Sequence, residues 1–124
     1  MTAKVYLVGA GPGDPGLVTL KAYEVISRAD VIIYDRLVDP RIVAMGNSLA
    51  KYIFVGKTPF KETINQSNIN ALLSKHAQGN QVVVRLKGGD PFLFGRGGEE
   101  ALYLNDNGIK FEVIPGITSA IAAP

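Results

Sequence analysis

Val82-Val83-Val84-Arg85-Leu86-Lys87-Gly88-Gly89-Asp90-Pro91-Phe92-Leu93-Phe94-Gly95-Arg96-Gly97-Gly98-Glu99-Glu100 is the stretch on which the fold turns. An apolar β-branched run comes first, then a glycine-rich loop, then a helix-forming run over 99–107. A strand that passes through a loop into a helix is the building unit of an α/β fold. Five glycines fall within the eleven residues from Gly88 to Gly98, an entropic cost for which a plain connector has no use. Glycine lets the main chain turn to positive φ or lie close to a ligand. Asp90, beside Gly89 and before Pro91, sets an acceptor carboxylate at the strand's carboxyl end, where open α/β sheets bind their ligands.

The same alternation extends outward. Residues 4–8 read as a strand, followed by the loop 9–16 and a helix over 17–28, with Leu17, Leu20, Val25 and Ile26 near helical spacing and Thr19 as a cap. A second strand over 31–34 ends at Asp35, and a short helix over 40–45 stops at Gly46. A third strand covers 52–55. Asn65 or Ser67 caps a helix through His76, striped by Ile69, Leu72, Leu73 and Ala77 and stopped by Gly79. The fourth strand covers 81–86, the last helix 99–107 and the fifth strand 111–114. The strand runs are almost continuously apolar, as burial on both faces demands. Five strands alternating with four helices predict a three-layer α/β/α domain with a mostly parallel, doubly wound five-stranded sheet over 1–124.

Composition narrows the partners. The chain has 124 residues, 47% of them apolar, with no run near the length of a membrane span and no leader-like apolar core after Met1. There are no cysteines, so disulfides, thiolate metal sites and a thiol nucleophile are excluded, and a cytoplasmic setting fits. A net charge of +2 lacks the field of a general nucleic-acid binder. No cluster of metal-ligating side chains is visible. The apolar run Gly116-Ile117-Thr118-Ser119-Ala120-Ile121-Ala122-Ala123-Pro124 reads as a turn and the first turn of a helix, which predicts that the chain is the front part of a longer protein.

The loop Gly9-Ala10-Gly11-Pro12-Gly13-Asp14-Pro15-Gly16 carries the dinucleotide spacing G-x-G-x-x-G at Gly11, Gly13 and Gly16. Asp35 stands near the place of the ribose-binding acid. Against a dinucleotide, Pro12 and Pro15 remove two backbone donors, and Asp14 sets a negative charge where a pyrophosphate would lie. Neither glycine loop continues into the Gly-Lys-Ser/Thr of a P-loop. A tight turn needing φ > 0 explains some of these glycines, and the prolines stiffen the loop in a way that suits the wall of a site.

Five ordered blocks then match one family. They are Val5 to Leu17, Tyr34-Asp35-Arg36-Leu37-Val38, Val55-Gly56-Lys57, Val84 to Glu100, and Val113-Ile114-Pro115-Gly116-Ile117-Thr118-Ser119. Across essentially its whole length the chain resembles the amino-terminal half of the tetrapyrrole methylases, in the branch acting on uroporphyrinogen III. The resemblance implies two α/β domains with S-adenosylmethionine in the cleft between them, the second domain absent from this chain, and a homodimer of the full-length protein. It implies methyl transfer to two carbons of the tetrapyrrole substrate, giving precorrin-2 on the way to sirohaem and cobalamin. By position, Pro12, Gly88, Gly89, Asp90, Leu93, Thr118 and Ser119 match the family's cofactor-contacting residues, Asp35 its candidate proton acceptor and Lys57 its candidate proton donor. Thr58 departs from the pattern by replacing the usual basic residue.

The residues also have readings of their own. Asp35 is equally a turn aspartate, and Lys57 equally a solvated lysine or a charge for a substrate carboxylate. A substrate of many carboxylates would want cations at the strand ends, and Arg36, Lys57, Lys87 and Arg96 are candidates. Arg85 and Lys87 share one strand face, so at least one should reach a carboxylate or the cleft. Glu99 and Glu100 read as charges favoured by the helix dipole, and His76 as a dipole partner or surface residue at a helix end. Phe60, Phe92 and Phe94 line a flat apolar site or pack in the core.

Overall fold

The computed structural model describes residues 4–11, 13–56, 66–79, 81–88 and 97–116. Five strands form one sheet: β1 (Val5–Gly9), β2 (Val31–Tyr34), β3 (Lys51–Phe54), β4 (Val83–Lys87) and β5 (Phe111–Ile114). Their order is β3-β2-β4-β1-β5, and every pairing is parallel. The helices are α1 (Leu20–Arg28), α2 (Pro40–Val43), α3 (Gln66–Ala77) and α4 (Gly97–Asp106). The three-layer α/β/α architecture expected from the alternation is therefore the one observed.

Strand alternation divides the core in two. Tyr6, Val8, Ile32, Val84 and Leu86 point to one face and pack with Ala22, Val25 and Ile26 of α1 and Ile42 of α2. Val5, Leu7, Val31, Ile33 and Val83 point to the other face and pack with Ile69, Leu73 and Ala77 of α3 and Leu104 of α4. β1 and β4 are buried along their whole length, as central parallel strands must be. The edge strand β3 departs from that expectation. Its residues are exposed or half-buried, with Tyr52 and Phe54 each more than a third exposed, because among the described residues no strand pairs on its outer side.

The first helix begins later than the apolar spacing predicts. Pro15–Leu17 forms a single 3-10 turn, capped by the Asp14 carboxylate, which accepts the Gly16 N–H at 2.9 Å. Thr19 then caps α1, its Oγ1 accepting the Ala22 N–H at 3.1 Å. Leu20, the first residue of α1, is turned away from Ala22, Val25 and Ile26 by the helical period, so it lies outside the buried stripe and is 88% exposed. The short helix α2 also ends earlier than expected, at Val43, and turn hydrogen bonds carry the chain on to Gly46. Among the described residues no helix is long and apolar enough to cross a membrane.

Candidate functional site

The topology itself marks a crevice. β1 and β2 lead from their carboxyl ends to α1 and α2 on one face of the sheet. β4 lies between those two strands and leads to α4 on the opposite face. The chains leaving β1, β4 and β2 therefore diverge, and open α/β sheets hold ligands where the direction of winding switches. The first glycine loop, Gly88 and Asp35 belong to this end of the sheet.

Main chain lines the crevice closely. The Ala10 N–H donates to the Lys87 carbonyl at 2.6 Å and joins β1 to β4 one residue past the strand. Gly11 at φ 76° and Gly13 at φ 106° then adopt the left-handed conformation that side chains disfavour. Gly88 has a different reason to be glycine. A Cβ there would lie 3.1 Å from both the Leu37 carbonyl oxygen and the Leu37 Cβ, so a side chain at this position would crowd the turn after β2.

The dinucleotide spacing of the first loop lacks the matching geometry. Its third glycine, Gly16, already donates its N–H to Asp14, and α1 starts only at Leu20 with Thr19 as cap. No open helix N-terminus therefore follows that glycine to receive a pyrophosphate.

Asp35 sits one residue past the Tyr34–Leu86 pair, level with Lys87. Its Oδ1 accepts the Leu37 N–H at 3.0 Å, the turn arrangement expected of an aspartate at this place. Its Oδ2 lies 4.0 Å from Arg85 Nη2, and the side chain is partly exposed. Arg36, next to it, is exposed. Gly56 gives the Arg36 main chain room, since a Cβ there would lie 2.9 Å from the Arg36 nitrogen. Of the other expected site residues, Pro12, Lys57, Gly89, Asp90, Leu93, Arg96, Thr118 and Ser119 lie outside the described residues, as do Phe60, Phe92 and Phe94.

Beneath the crevice is a buried charge cluster that the sequence signalled only in part. Arg85 and Lys87 do share a face and are almost wholly buried. Both meet Glu100 of α4, which has no exposed surface: Arg85 Nε donates to Oε2 at 3.1 Å, and Lys87 Nζ lies 3.3 Å from Oε1. Gln66 of α3 adds a hydrogen bond to Oε2 at 3.2 Å. Glu100 is thus a core counter-ion rather than a solvated charge at the helix start. The signal for it was its place four residues before the buried Leu104, on the same side of α4. Lys87, expected to meet a substrate carboxylate, turns inward to Glu100. Burial, reinforced by the Arg85 charge, pushes its ammonium below the usual lysine range, although Glu100 opposes the shift. His76 lies in the last turn of α3, near the amino end of β4 and away from the crevice; burial and the nearby Lys51 charge lower its pKa.

Fold and site define a doubly wound α/β domain with a glycine-lined crevice at the winding switch, walled on one side by a loop poorly suited to phosphate. The chain belongs to the Tetrapyrrole (Corrin/Porphyrin) Methylases, whose family model matches residues 4–124. The uroporphyrinogen-III C-methyltransferase of Bacillus subtilis (strain 168) is 60% identical over 120 residues, covering 97% of this chain and 47% of that protein. The crystal structure of uroporphyrin-III C-methyl transferase from Thermus thermophilus, complexed with S-adenyl homocysteine, matches with a TM-score of 0.85 and 51% identity, over 98% of this chain and 51% of the other. The X-ray structure of a cobalamin biosynthetic enzyme, cobalt precorrin-4 methyltransferase, matches with a TM-score of 0.84 and 31% identity, over 96% and 48% of the two chains. The chain spans about half the length of these relatives.

Proposed function

We propose that the protein containing this chain transfers methyl groups from S-adenosylmethionine to two carbons of uroporphyrinogen III, giving precorrin-2 for sirohaem or cobalamin synthesis. The observation that carries this reading is the switch-point crevice, with close-packed glycine main chain, no open helix N-terminus for a phosphate after Gly16, and the Asp35 carboxylate at its mouth. Substrate choice rests on similarity. Identity is 60% to a uroporphyrinogen-III enzyme and 31% to the cobalt precorrin-4 enzyme, which favours the former over a later corrin precursor.

When bound, the cofactor supplies an electrophilic methyl group: a carbon–carbon bond forms to the pyrrole carbon while the sulfur–methyl bond breaks and its electron pair leaves with sulfur. Such a displacement depends on alignment, so positioning is the main contribution asked of the protein. Pro12, Gly88, Gly89, Leu93, Thr118 and Ser119 would hold the cofactor against main chain, with Asp90 accepting hydrogen bonds from its ribose or amino group. Asp35 would accept the proton that the methylated ring loses, and Lys57 would supply one. Arg36 and Arg96 would meet substrate carboxylates; Lys87 would do so only by leaving Glu100. The intact protein would be a cytoplasmic homodimer of two-domain subunits, this chain being the amino-terminal domain.

Labelled S-adenosylmethionine and uroporphyrinogen III, mixed with the intact protein, should give a labelled dimethylated product. Calorimetry should detect S-adenosylhomocysteine and not a nicotinamide dinucleotide. Absence of label in the tetrapyrrole, or the reverse binding preference, would reject the reading.

A further inference from the structure

The buried cluster has a direction. Each of the three guanidinium nitrogens of Arg85 faces a different group. Nε donates to Glu100 Oε2 at 3.1 Å, Nη1 donates to the Leu86 carbonyl at 3.3 Å, and Nη2 faces Asp35 Oδ2 at 4.0 Å. A guanidinium is a rigid planar fork, so fixing two of its nitrogens fixes the third. Glu100 is itself fixed, with Gln66 on the same oxygen and Lys87 beside the other. The ordered charges run from α4, through the centre of the sheet, to the mouth of the crevice.

Charge balance points the same way. Arg85 and Lys87 are two buried cations, and Glu100 supplies one negative charge. Asp35 is a second carboxylate within ion-pair reach of the cluster. A buried cation without a counter-charge is strongly unfavourable, so the Asp35 carboxylate is held toward Arg85 as the second counter-ion. Its turn hydrogen bond to Leu37 uses Oδ1, leaving Oδ2 on the Arg85 side.

We infer that Glu100 is a positioning residue that acts through Arg85 to aim the Asp35 carboxylate into the crevice. The inference rests on the proposed methyl transfer, in which Asp35 takes a proton. In that step a C–H bond of the methylated tetrapyrrole breaks, its electron pair returns to the conjugated system, and the proton forms an O–H bond at Asp35. Glu100 touches neither substrate nor cofactor in this account. It sets where the accepting oxygen stands.

A double-mutant cycle in the intact protein tests this. Asp35→Asn should lower kcat about 100-fold, the low end for loss of a general base. Glu100→Gln should lower kcat roughly tenfold, with KM for both substrates changed less than about twofold. In the double variant, Glu100→Gln should add less than about twofold to the loss from Asp35→Asn, because the group it aims is already gone. Arg85→Lys, which keeps charge but not the fork, should behave as Glu100→Gln does, and it takes that variant's place if Glu100→Gln fails to fold by circular dichroism. Losses that multiply in the double variant, or an Asp35→Asn variant as fast as wild type, would overturn the inference. Wild-type protein that transfers no methyl group would instead remove the proposed function, and this role with it; active wild type with multiplying losses removes the role alone.

Discussion

The two faces of β4 are one residue apart and chemically opposed. Val84 and Leu86 enter an apolar layer formed with α1, α2, Tyr6, Val8 and Ile32. Arg85 and Lys87 enter the layer under α3 and α4, where they meet Glu100 and Gln66. Hydrophobic burial explains the first face without further argument. It does not explain the second, since buried ion pairs often contribute no more than well-packed apolar side chains of the same volume. The charged row also lies at the carboxyl end of the strand, at the winding switch, whereas Val83 at the other end of the same row is apolar. Local rules are set aside where a site is built. The contrast separates a face that holds the domain together from one that shapes the crevice.

The sharpest way to break this contrast is to remove the central carboxylate. Glu100→Leu leaves Arg85 and Lys87 buried without their shared partner, and should destabilise the intact protein by about 4 kcal/mol in denaturant unfolding. A loss below about 1 kcal/mol would mean that the cluster is wetter or looser than its geometry indicates. On the apolar face, Leu86→Ala removes a fully buried side chain and should cost about 3 kcal/mol. The folded Leu86→Ala protein should retain S-adenosylhomocysteine affinity within about threefold, whereas the charged face is expected to link stability and activity. Equal effects of both substitutions on kcat would erase the distinction between the faces.

The sequence carried the local half of this picture. The runs over 31–34 and 111–114 coincide with β2 and β5, because short β-branched stretches bounded by Asp or Pro leave little freedom. Thr19 was legible as a cap, but the preceding 3-10 turn was not. Leu20 was grouped with Val25 and Ile26, although the helical period turns it away from both, and it is exposed. β1 extends to Gly9, one residue past expectation, because Lys87 on the neighbouring strand pairs with it; such an end is set by the partner rather than by residue type. The insertion of β4 between β1 and β2 is also a long-range fact that no local pattern contains. The same limit explains Glu100. Read locally, an acid in the first turn of a helix serves the dipole. Its partners lie fifteen and thirteen residues earlier, on a strand, and only the packed α4 brings them together.

The smallest expected effect is a slope with pH, and it sharpens the comparison by its sign. Burial holds the Lys87 pKa below the ordinary 10.5, so the folded state releases this proton at a lower pH than the unfolded chain does. Between the two values the unfolded chain binds more protons, and stability therefore rises with pH. Put another way, the charged ammonium costs stability below its folded pKa, and that cost fades as pH climbs toward 10.5. Lys21, on the opposite face of the sheet and ion-paired with Glu112, has the reverse sign: its pKa is raised, so its contribution is present below 10.5 and is lost at higher pH. Unfolding of wild type and Lys87→Met should be compared at pH 7 and pH 10. Wild type should gain on the variant as pH rises, whereas the difference between wild type and Lys21→Met should stay flat over that window, since the Lys21 contribution is lost only above 10.5 and that pair is exposed and screened. A Lys87→Met difference that stays flat would show that the ammonium is solvated, and that the charged face of β4 is open where the structure has it closed.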